Sequence, residues 1–127
     1  MKYVVSRDLI QQFVMMNNID ALDLFPDDAP SGTSFYELIP ENGKPVVITY
    51  EDAINAIKLY KERVIYFEKL STWIDAVIAL DLFKFDDSSD DSLNKSAGIV
   101  YSLDEEKEGR DELNFDRLDE IISRYNL

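Results

Sequence analysis

Apolar positions recur with helical spacing over one long stretch, Glu51 to Phe83. One stripe runs Ala53, Ile57, Tyr60, Val64, Phe67, Ser71, Ile74, Ile78 and Asp81, in alternating steps of four and three that keep side chains on one helical face. A second stripe, Leu70, Trp73, Val77 and Leu80, lies beside it, so the later half is apolar over most of its circumference, the mark of a buried helix. The earlier half carries a charged face with Lys58, Lys61, Glu62, Arg63, Glu68 and Lys69. Thr49 followed by Asp52 resembles a capping box at the entry. A single helix of this length would reach roughly 50 Å, whereas a compact domain of this size is about 36 Å across. A kink or restart is therefore expected, and Ser71-Thr72 is the weakest point, with Thr72 and Asp75 able to cap a fresh start. Ser71 and Asp81 interrupt the stripe and the heptads are few, which argues against a coiled-coil seam.

On either side the apolar runs are shorter. Met1 to Val5 reads as a strand. Ser6 then caps a helix whose stripe is Leu9, Ile10, Phe13, Val14 and Met16, ending at Asn17-Asn18. Ile19 to Phe25 fits one helical turn stopped by Pro26, and Asp27 to Ser34 is a loop. Phe35 to Ile39 and Pro45 to Thr49 flank Asn42-Gly43, a hairpin signal, although Pro40 and Pro45 move the pairing away from the turn or place a strand at an edge. Asp86 to Ser96 reads as an acidic loop, and Gly98 to Leu103 as a strand with Ile99 and Tyr101 on one face and Val100 on the other. Asp104 to Glu112 is an acidic turn or frayed helix. Asn114 then caps a terminal helix with Phe115, Leu118, Ile121, Ile122 and Tyr125 inward and Arg124 at its C-terminal end. The pattern predicts one α+β domain over residues 1–127. In it a small, mainly antiparallel sheet packs on a long central helix (51–83) and on terminal helices.

Composition narrows the chemistry. With 46% hydrophobic residues in 127, the chain has material for a real core. It contains neither Cys nor His, which closes disulfides, thiol nucleophiles, thiolate metal sites and the usual triad base. The four glycines are isolated, so no phosphate-binding loop is present, and no cofactor is implied. Carboxylate-only hydrolysis stays open, but no acidic pair stands out from the background. Against the calcium-loop template, Asp86, Ser88, Asp90 and Ser92 fall on ligand positions, while Asp91 replaces the turn Gly and Ala97 the bidentate Glu. Leu70 to Phe83 is too short for a membrane span and carries Asp75 and Asp81. Arg7 and Asp8 interrupt any leader-like apolar run near the start, so a cytoplasmic location is expected.

The net charge of −13 is the largest departure from an average chain. Such a field repels nucleic acid and anionic membrane surfaces and attracts basic partners, or it serves solubility alone. Two acidic patches, Asp86, Asp87, Asp90 and Asp91 before the expected strand and Asp104, Glu105, Glu106 and Glu108 after it, would project from its ends with Tyr101 between them. Tyrosine is a common interface anchor, and six more stand at positions 3, 36, 50, 60, 66 and 125. These nine residues are the candidate binding surface for a basic protein such as a toxin or nuclease domain. In size, charge and lack of His and Cys the chain resembles the small immunity proteins with which bacteria neutralise nuclease toxins. That profile implies a stoichiometric inhibitor, not an enzyme, and it carries over no residue roles. Phage-encoded nuclease inhibitors share the profile. A carboxylate-dependent hydrolase would need two acids whose loss stops turnover, and a homo-oligomeric structural protein would expose an apolar helix face.

Overall fold

The computed structural model describes residues 2–17, 20–85 and 95–125. Among them, β1 (Tyr3–Val5) leads into α1 (Arg7–Val14), followed by short 3₁₀ turns at Ala21–Leu24 and Phe35–Glu37. β2 (Leu38–Pro40) and β3 (Val46–Ile48) flank a third 3₁₀ turn, and α2 (Tyr50–Lys61), α3 (Phe67–Ala79), β4 (Phe83–Phe85), α4 (Lys95–Lys107) and α5 (Phe115–Tyr125) complete the order. The fold is mixed α+β.

The strands form two separate parallel pairs, not an antiparallel sheet. β1 pairs with β2 in the register Tyr3↔Leu38 to Val5↔Pro40, and β3 pairs with β4 from Val46↔Phe83 to Ile48↔Phe85. A parallel pair needs a crossover of a dozen or more residues. Residues 6–37, with α1, supply the first, and residues 49–82, with α2 and α3, supply the second. The expected hairpin is absent even though Asn42 (φ 60°) and Gly43 (φ 68°) adopt the left-handed conformations such a turn uses. Pro40 and Pro45 remove N–H donors on both sides of the turn, where a tight ladder would begin. The turn instead carries the chain from one pair to the other. It is tied to α1 by the Arg7 N–H donating to Glu41 Oε2 at 3.0 Å.

The long helix breaks, but at residues 62–66 and not at Ser71-Thr72. Arg63 lies in the left-handed region (φ 62°); its N–H donates to the Tyr60 carbonyl at 3.0 Å, and the Val64 N–H reaches the Leu59 carbonyl at 2.9 Å. This pair of bonds is the Schellman end of a helix, here without the usual Gly. The turn also shifts the phase of the apolar stripe, so Val64 is 63% exposed while Ile65 is buried. Thr72 does not cap a restart. Its hydroxyl donates to the Glu68 carbonyl at 2.9 Å inside α3.

Gly98 to Leu103 is helical and not the strand its sequence pattern predicts. The buried residues of α4, Ser96, Ile99, Val100 and Leu103, follow helical spacing. Gly98 permits close contact with α5, because a Cβ there would fall 2.4 Å from the Tyr125 ring. α4 packs against α2, α3 and α5, so it holds the central place expected of residues 51–83.

The other expected caps, unlike that of Thr72, form where the sequence places them. Ser6 accepts from the Leu9 N–H at 3.2 Å, and Thr49 and Asp52 cap each other's backbone at 3.2 and 3.0 Å. Asn114 Oδ1 accepts from the Asp116 N–H at 2.8 Å. Buried side chains from all four strands and five helices join one hydrophobic core, with Trp73, Phe13 and Ile74 fully enclosed. Trp73 Nε1 donates to the Val14 carbonyl at 3.3 Å, which satisfies both the indole and the end of α1. Among the described residues, no helix is long and apolar enough to cross a membrane.

Candidate protein-binding surface

Asp86, Asp87, Asp90 and Asp91 lie outside the described residues. The other five candidates sit on α4 and its C-terminal turn, and helix geometry divides them. Tyr101, Glu105 and Glu108 follow i, i+4, i+7 spacing and are exposed, opposite the buried face of α4. Asp104 and Glu106 turn sideways and are engaged within the fold. Lys107 Nζ lies 2.9 Å from Asp75 Oδ1 and 3.7 Å from Asp104 Oδ1, linking α4 to α3. Arg117 Nε lies 3.4 Å from Glu106 Oε1, and its Nη1 lies 3.1 Å from Glu120 Oε2. The Tyr101 ring meets that of Phe85, with centroids 5.7 Å apart, immediately before the first acidic patch begins. Of the described acidic candidates, Glu105 and Glu108 therefore remain available to a partner, while Asp104 pairs with Lys107 within α4 and Glu106 ties α4 to α5 through Arg117.

A stronger site comes from the break in the long helix. The α2–α3 turn and the α4–α5 connection face each other across an open groove of about 760 Å³. Tyr60 fixes one to the other. Its buried hydroxyl oxygen accepts from the Leu113 N–H at 2.8 Å, and its ring meets Phe115 edge-on at 5.9 Å. Ile65 and Leu113 are buried beneath. Tyr66, 73% exposed, and Phe115, 39% exposed, are among the residues that line the groove. Glu68, Asp111, Glu112 and Asp116 also line it, are exposed, and form no ion pair among the described residues.

The charge balance there has a sign. Arg63 lines the groove as well and forms no ion pair among the described residues. The N-terminal ends of α3 and α5 add about half a positive charge each. Against these roughly two positive charges stand the four carboxylates, so the groove is net negative by about two charges. It suits a cation more than an anion. The sequence offered Tyr66 only as one tyrosine among seven. With the helix expected to run on through residues 62–66, nothing placed Tyr66 on the same groove as Phe115.

Among the described residues, no three of His, Cys, Asp and Glu gather as metal ligands. Comparison with protein-family models, with curated proteins and with solved structures finds no match to this chain.

Proposed function

We propose that this protein is a binding protein that captures a basic partner protein, most closely in the manner of a bacterial immunity protein that occludes the cationic active site of a nuclease-type toxin. It acts stoichiometrically in the cytoplasm and catalyses no reaction. The observation that carries the reading is the groove of Tyr66 and Phe115 bordered by unpaired carboxylates, on a chain of net charge −13. Exposed rings supply desolvated anchor area. The acidic field supplies fast encounter and selects partners whose own site is basic because it binds phosphate. A bound acidic surface would then sit along the track that nucleic acid uses.

The test is recovery of partners from source-organism lysate at low and at high salt, followed by inhibition titration with the recovered protein. A basic nuclease that elutes with salt, and whose activity falls to zero near one equivalent, is the expected result. Failure of any basic protein to be retained at low salt would remove the basis for this reading.

A further inference from the structure

We infer that the groove between the α2–α3 turn and the α4–α5 connection is an arginine-capture site, and that its occupant is an arginine-bearing segment of the basic partner. The inference rests on the protein-capture reading above and goes further by fixing the place and the side chain recognised. Two exposed aromatic residues, Tyr66 and Phe115, line one groove together with Glu68, Asp111, Glu112 and Asp116. Rings with a negative π-face and carboxylates that accept in pairs are the two features a guanidinium uses at once, by stacking flat and by donating a forked pair of hydrogen bonds. A lysine ammonium, more strongly hydrated and without a plane, gains from the charge but little from the rings. The groove therefore favours arginine over lysine, whereas charge alone is indifferent between them.

The backbone on both sides of the groove is held in place beforehand. Tyr60 clamps Leu113, Asn114 caps α5 just ahead of Asp116, and the Schellman turn presents Tyr66 at the start of α3. Among the described residues, Arg63 is the one cation lining the groove, and it opposes the incoming guanidinium.

The experiment measures affinity for an arginine-rich peptide and for a lysine-rich peptide of equal length and charge, at low and moderate salt. The expected preference for arginine is roughly fivefold, from stacking at a partly desolvated ring. Tyr66→Ala and Phe115→Leu should each shrink that preference, whereas Tyr66→Phe, which keeps the ring, should retain it. Asp111→Asn and Glu112→Gln should each weaken both peptides by roughly two- to fivefold, and Asp27→Asn, which does not line the groove, by less. Arg63→Asn, which keeps a residue tolerant of the left-handed turn, should tighten binding. Circular dichroism melts of each variant separate lost binding from lost folding. Equal binding of both peptides, salt-sensitive but indifferent to Tyr66 and Phe115, overturns the arginine site and leaves the general acidic capture standing. No binding of either peptide at low salt overturns both. Weaker binding by Arg63→Asn, or preference for a phosphate-bearing probe, shows an anion site and overturns the inference.

Discussion

Arg63→Gly separates the observed turn from the uninterrupted helix that the apolar stripe suggests, because the two predict opposite signs. In a continuous helix, Gly at an exposed interior position would destabilise by about 1 kcal/mol. In the turn, Arg63 holds φ at 62°, a region that disfavours side chains with a Cβ by about 1–2 kcal/mol. Gly removes that strain. It also gives the unfolded chain more freedom, which offsets about 0.4–1 kcal/mol. The net expectation is a stabilisation of about 0–1.5 kcal/mol. For a chain of this length, 1 kcal/mol corresponds to about 4 °C in Tm. Arg63 forms no ion pair among the described residues, so no lost pair confuses the sign. Thermal and urea unfolding followed by circular dichroism would measure it, with an unchanged m value showing that the unfolded state is comparable. A loss of 1 kcal/mol or more would refute the Schellman turn, and with it the placement of Tyr66 in the groove.

Three further outcomes follow from the same geometry. Tyr60→Phe keeps the ring against Phe115 but leaves the buried Leu113 N–H without its acceptor, so a loss of about 1–3 kcal/mol, or about 4–11 °C in Tm, is expected; an unchanged melt would mean that the clamp is unimportant. Gly98→Ala should lower Tm in the wild-type background, where Tyr125 occupies the space, yet raise it in a Tyr125→Ala background, where only the helix-propensity gain of about 1 kcal/mol remains. The same sign in both backgrounds would contradict the close α4–α5 contact. Loss of the arginine preference in Tyr66→Ala, with folding intact, is the binding counterpart.

What the sequence made legible was mostly local. Ser6, Thr49 with Asp52, and Asn114 cap helices through their own side chains, so their signatures need no tertiary information. Strand pairing was not legible in the same way. Each strand is three residues long, too short for its pattern to specify a partner, and the Asn42-Gly43 turn looks the same whether or not its flanks pair. The end of α2 escaped because Arg63 occupies a position that Gly usually marks. The sequence of α4 reads as a strand because Ile99 and Val100 favour strands and Gly98 disfavours helix, whereas packing against α2, α3 and α5 decides the outcome. Asp104 and Glu106 carry the same charge as Glu105 and Glu108, and only the helical rotation of α4 separates the paired acids from the exposed ones.

Under the proposed function, a basic partner docks on the groove beside the α2–α3 turn. The most direct measurement is the amide ¹⁵N–¹H spectrum of the labelled protein, titrated with the basic partner recovered at low salt. Capture at this site predicts shifts concentrated in residues 60–68 and 108–116 that reverse as salt is raised. Shifts confined to another face, or a complex indifferent to salt, would contradict it.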